Sequence, residues 1–135
     1  MEEHGVPLSI VVTGANRHDV SQLKPVLEQK IASPILVDGQ ENLCADAGYV
    51  GAGPKAEMRS AGYQPHVRPR GEERREKVRN PAYRARRWVV EVCHAWLNKF
   101  RKLLVRYEKL HSTYLALLHL AAAIIALRKI GAIYG

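Results

Sequence analysis

The stretch RRWVVEVCHAWLNKFRKLLVRYEK, residues 86–109, decides how the rest of the chain is read. Its apolar residues recur at helical spacing. At about 100° per residue, with Glu91 set at zero, Val89, Cys93, Trp96, Leu97, Phe100, Leu103, Leu104 and Tyr107 fall between roughly 120° and 240°. Arg87, Ala95, Asn98 and Lys102 lie within about 40° of Glu91, with His94 and Arg101 flanking them. One carboxylate thus stands alone on a basic face, opposite a core-facing stripe. The pattern predicts one long helix from about Tyr83 to Glu108, presenting a carboxylate beside something polyanionic.

Charge is concentrated around that helix. Residues 66–109 carry 14 of the 21 Lys and Arg and 5 of the 13 Asp and Glu, a net +9, against −1 for the remainder. Such a block points to a polyanionic partner, most often nucleic acid. Charge alone leaves a solvated helix face equally open. With 135 residues, 47% of them hydrophobic, the chain is one domain or part of one, and disorder of the whole is disfavoured. Cys44 and Cys93 have apolar neighbours and no CxxC spacing, so they read as buried thiols of a reducing cytosol. The N-terminal MEEHG is acidic and polar, unlike a signal peptide. The apolar run YLALLHLAAAIIAL has 14 residues, contains His119 and is followed by Arg128 and Lys129. It is short for a membrane span and fits a buried helix.

Working outward, residues 7–13 (PLSIVVT) read as a strand. GAN is a turn, and a helix follows with Asp19 or Ser21 as its N-cap and Pro25 near its start. Residues 35–38 form a short strand or loop. NLCADAG, residues 42–48, reads as a buried strand ending at an acid and a glycine. GPKAEMRSAGY is a helix stopped by Gly62. Prolines 65 and 69 make residues 63–70 extended, at a sheet edge. The segment 71–81 has no apolar face and reads as a charged, solvated loop. Ser112 or Thr113 caps a last helix, apolar nearly all round, that ends near Gly131. The alternation of strands and helices predicts an α/β sheet of about three strands with helices packed on it.

Two acids stand where chemistry gathers. Asp46 ends an apolar strand, the position where α/β sheets place functional side chains. With an acid on a long helix it could hold divalent metal. The plain alternatives are a turn for Asp46 and an i, i+4 ion pair with Arg87 for Glu91, which spacing alone favours. Trp88 and Trp96 read as packing residues, and His18-Asp19 as a helix cap rather than a dyad.

The words PLSIVVTGANRHD, CADAGY, RPR, RRWVVEVCHAWLNKFRKLLVRYEK and YLALLHLAAAII, in that order, resemble the C-terminal part of insertion-sequence DDE transposases, bacterial enzymes with an RNase H-like catalytic domain. The resemblance covers nearly the whole chain. It implies a partial RNase H-like α/β fold with two long C-terminal helices. It puts the second catalytic Asp on Asp46 and the catalytic Glu on Glu91, with 44 residues between them, as ligands of Mg²⁺ or Mn²⁺. Arg87 matches the family's Arg four before the Glu. Two positions depart from the pattern: Val92 stands where many relatives carry Arg, and Asn98 where some carry a base.

The resemblance further implies cleavage of transposon ends and their joining to target DNA. One metal would activate water or a 3′-hydroxyl, and the other would stabilise the leaving oxygen. Arg68, Arg70, Arg84, Arg86, Arg87, Lys99, Arg101, Lys102 and Arg106 become the expected DNA contacts, with Arg87, Arg101 and Lys102 nearest the metals. No stretch matches the family's first Asp-bearing strand or its N-terminal DNA-binding region. The chain is therefore expected to be the back half of a transposase, cytoplasmic, without a membrane. It would associate with itself or with an N-terminal fragment. The competing expectation is a catalytically inactive remnant that binds DNA nonspecifically or binds a partner.

Overall fold

In a computed structural model, residues 1–31, 41–80 and 87–134 are described. The chain divides into two compact units, Thr13–Ala85 and Met1–Val12 with Arg86–Gly135.

The Thr13–Ala85 unit is built on a strand–helix–strand unit. After a 3-10 turn at Asp19–Gln22 come α1 (Leu23–Glu28), β1 (Glu41–Ala45), α2 (Ala52–Ser60), β2 (Tyr63–Val67) and α3 (Glu72–Arg79). β1 and β2 are parallel, in register from Glu41 opposite Tyr63 to Ala45 opposite Val67. Parallel strands need a crossover, and α2 supplies it. Gly62 ends that crossover at φ +88, where a side chain would be strained. Pro65 is tolerated because, among the described residues, each strand of this sheet is an edge. The core joins Leu23 and Leu27 of α1, Met58 of α2, and Tyr63 and Val67 of β2. Met58 is fully buried. Burying a side chain of that size stabilises by about 1.5–3 kcal/mol.

β1 is half-buried rather than enclosed. Leu43 and Ala45 pack on the core, whereas Asn42 and Cys44 point to solvent. Successive side chains of a strand face opposite ways, and only one face of this sheet is covered among the described residues. The expectation of a buried Cys44 is thereby corrected: its thiol is exposed. The charged segment 71–81 is not a loop throughout, because α3 runs through it. Glu, Arg and Lys are good helix formers even without an apolar face. His18 stands at the N-cap of the 3-10 turn, though without a side-chain cap bond, and the N-cap of α1 is Gln22 rather than the expected Asp19 or Ser21.

The Met1–Val12 and Arg86–Gly135 unit contains α4 (Arg87–Leu97), α5 (Arg101–Leu104) and α6 (His111–Tyr134). α4 and α5 both pack on α6. Val89 and Cys93 of α4 are buried, as are Leu118, Ala121, Ala122 and Ile125 of α6. Gly5, at φ +89, lies against the Trp96 ring, where an added Cβ would sit 3.4 Å from it.

Several expectations fail here. The single helix over 83–108 is broken: Phe100 is extended at φ −86 and ψ 104, separating α4 from α5. The amides of Lys99 and Phe100 reach back only three residues, to Trp96 and Leu97, so the last turn tightens and stops. Among the described residues only α6 is long, therefore, instead of two C-terminal helices. The stretch 7–13 forms no strand, since a strand needs a hydrogen-bonded neighbour and none lies beside it among the described residues. Two strands, not three, are described; 35–38 lies outside the described residues. α6 starts at His111, ahead of the expected Ser112 or Thr113 cap, and continues past Gly131. The span from His111 to Ala132, 22 residues containing an 18-residue window of mean hydropathy 1.7, is long and apolar enough to cross a membrane by length and composition. The 14-residue run read from the sequence understates that length.

Candidate active site

Asp46 follows the last residue of β1, at the carboxyl end of a parallel strand. Its backbone is extended, and its Oδ1 accepts a hydrogen bond from the N–H of Ala47 at 2.6 Å, capping the 3-10 turn Ala47–Tyr49. The carbonyl of Asp46 accepts from the N–H of Tyr49 at 2.9 Å. The turn is short because Gly48 and the extended Val50 do not propagate it. Asp46 is thus tied into the turn by its carbonyl and its Oδ1, while its side chain stays exposed.

Tyr49 adds to this corner. Its hydroxyl donates to the carbonyl of Asp19 at 3.3 Å. Burial pushes its phenol above the ordinary tyrosine value, and the carboxylates of Asp19 and Asp46 push it the same way. Both carboxylates therefore lie close enough to the phenol to disfavour its ionisation. The reading of the sequence missed Tyr49. The only signal in the chain was its place in the ADAGY word.

Glu91 sits mid-way along α4 and is exposed, on the face opposite buried Val89 and Cys93. The helical period seen in the sequence holds here. It fails further on, where Leu104 and Tyr107 are exposed beyond the break. The proposed ion pair of Glu91 with Arg87 involves a side chain outside those described.

The expected DNA contacts fall into both units. Arg68 and Arg70 are exposed at the end of β2. Lys99, Arg101 and Lys102 are exposed around the break between α4 and α5. The Arg106 side chain is engaged, with its Nε donating to the Glu108 carbonyl at 3.3 Å and its guanidinium 4.8 Å over the Tyr114 ring. Arg84 and Arg86 lie outside the described residues.

Exposed carboxylates are the hard oxygen donors that Mg²⁺ or Mn²⁺ takes. Among the described residues, however, no three His, Cys, Asp or Glu side chains gather as a metal-holding group. Asp46, in the Thr13–Ala85 unit, and Glu91, in the other, each have the right donor chemistry.

Comparison with known proteins decides the family. Residues 43–128 match the family described as "Transposase DDE domain". The chain belongs to the DDE transposase family. The match takes in both Asp46 and Glu91. The transposase chain is also similar to a Burkholderia cepacia protein named "Putative transposase for insertion sequence element IS402". The two are 32% identical over 125 residues, which cover 86% of this chain and 56% of that relative. The chain thus spans little more than half the length of the curated relative it matches. No solved structure matches it.

Proposed function

We propose that this chain is the portion of an insertion-sequence transposase, RNase H-like in fold, that carries the second Asp and the Glu of a D-D-E set. Asp46 and Glu91 are the two carboxylates it contributes toward binding Mg²⁺ or Mn²⁺. The third carboxylate of the set lies outside these 135 residues. The metals supply an activated oxygen nucleophile and a Lewis acid for phosphodiester cleavage and strand transfer. The protein's part is to hold the carboxylates and the DNA. Lys99, Arg101, Lys102, Arg68 and Arg70 contact the phosphate backbone of transposon ends and target.

The observation that carries this reading is the placement of Asp46. It ends a parallel strand, is fixed by its own cap, and is exposed within the family's ADxGY word. These 135 residues, with two of the three carboxylates, are expected to bind DNA without cleaving it. It works in the cytoplasm, on the nucleoid.

The test joins the purified chain with an N-terminal transposase segment carrying an Asp-bearing strand. Mn²⁺-dependent nicking of transposon-end DNA is expected only from the mixture, and is abolished by Glu91→Gln. Nicking by the isolated chain would overturn the split of the ligand set. Failure to bind DNA at low salt would overturn the DNA reading altogether.

A further inference from the structure

The end of α4, the turn after it and the C-terminal half of α6 line an open pocket of about 260 Å³, of which the proposed function uses only Lys99. Trp96, Phe100, Ile125 and Ala132 supply an apolar wall with two aromatic rings. Lys99, Arg128 and Lys129 stand around it, and no acid is among its described lining residues. The Lys129 ammonium lies 4.6 Å from the centroid of the Trp96 ring, covering an aromatic face with a cation.

This lining selects a ligand class. Three cations without an acid call for an anion. The aromatic wall calls for a flat, weakly polar body attached to it. The volume falls just below the roughly 300–1,000 Å³ of pockets that enclose small ligands, so the cavity suits one planar ring system rather than a long acyl chain. A nucleotide has this combination, with a base that stacks on aromatic rings and a phosphate that pairs with Lys and Arg. A base inside a duplex is stacked on both faces and cannot enter. An unpaired base can.

We propose that this cavity takes a single unpaired nucleotide, its base against Trp96 and Phe100 and its phosphate on Arg128, Lys129 and Lys99. Lys129 moves from the Trp96 ring to the phosphate as the base arrives, so the cation that covers the ring in the empty site holds the ligand in the filled one. The inference rests on the DNA reading above and adds a preference for DNA with an unstacked base.

The test compares the full chain on two labelled duplexes, one fully paired and one identical except for a single unpaired adenosine. The unpaired base is expected to tighten binding about tenfold, the scale of one base–aromatic stack, and to quench tryptophan emission. Arg128→Ala with Lys129→Ala, and separately Trp96→Leu checked by circular dichroism, should erase that advantage while leaving binding to the paired duplex. Lys102→Ala should weaken both duplexes alike. Competition by dAMP would support a site that accepts the free nucleotide. Competition only by the unpaired-base duplex would support one that reads the nucleotide within a strand. Equal affinity for the two duplexes, or an advantage that survives the Arg128 and Lys129 substitutions, would overturn the inference and leave the DNA reading standing. Quenching by phosphatidylglycerol vesicles but by neither duplex would overturn it in favour of a lipid headgroup. Binding to neither duplex in the anisotropy measurement would overturn the DNA reading as well.

Discussion

Tyr49 donates its backbone N–H to the carbonyl of Asp46 at 2.9 Å, so the candidate metal ligand and the phenol behind it are tied into one turn. The side chain of Asp46 caps the same turn through Ala47. Structure and chemistry are therefore separable at this residue. Asp46→Asn keeps a good cap and should cost only a few tenths of a kcal/mol, whereas Asp46→Ala should cost about 1 kcal/mol in urea denaturation. Both should abolish metal-dependent nicking in the reconstituted mixture.

The phenol of Tyr49 gives a pH signature. Burial, then Asp19 and Asp46, raise its pKa above the ordinary value of 10.0. The folded state therefore keeps a proton that the unfolded state releases. Stability from this source is fully present below about pH 10 and is lost as pH rises through the folded value. Asp46→Asn should move the Tyr49 pKa part of the way down, since burial is the larger cause. NMR titration of labelled tyrosine reads this directly. No movement would show that the two groups do not sense each other.

Glu91 is exposed on a helix whose opposite face is buried, so its side chain carries little of the fold. Glu91→Gln should change stability by no more than about 0.5 kcal/mol in thermal or urea unfolding. A large loss would make it a structural residue and weaken its assignment as a ligand.

The two thiols should differ sharply. Cys44 is exposed, while Cys93 is 2% exposed and burial pushes its thiol above the usual range, partly offset by the nearby Met1 ammonium. A thiol reagent at neutral pH should label Cys44 quickly and Cys93 only on unfolding. Mass spectrometry of labelled peptides distinguishes them.

Removing Lys99, Arg101 and Lys102 together should reduce the slope of log binding constant against log salt. Each neutralised phosphate contributes about 0.9 to that slope, so a change of about 2–3 is expected. An unchanged slope would move the DNA-binding surface off the break between α4 and α5.

Local patterns were legible where one rule acted without competition. Gly62 ended α2 because a positive φ favours glycine, and Asp46 ended β1 as the apolar run stopped. α3 was missed because the absence of an apolar face outweighed strong helix formers in EERREKVR. The break at Phe100 was missed because the apolar period runs on unbroken through Tyr107, although backbone and packing do not follow it. Gly131 did not end α6, as glycine weakens a helix interior by only about 1 kcal/mol.

By itself, then, the sequence determined the α/β alternation, the two acids with their spacing, and the basic block, since these follow from residue order and period. Tertiary structure alone decided the rest. It exposed Cys44 by covering one sheet face, and it set Tyr49 behind Asp46. It also brought Lys129 over Trp96, 33 positions away. Contacts between elements depend on how separate stretches pack, and no local period encodes which distant side chain will fill a given face.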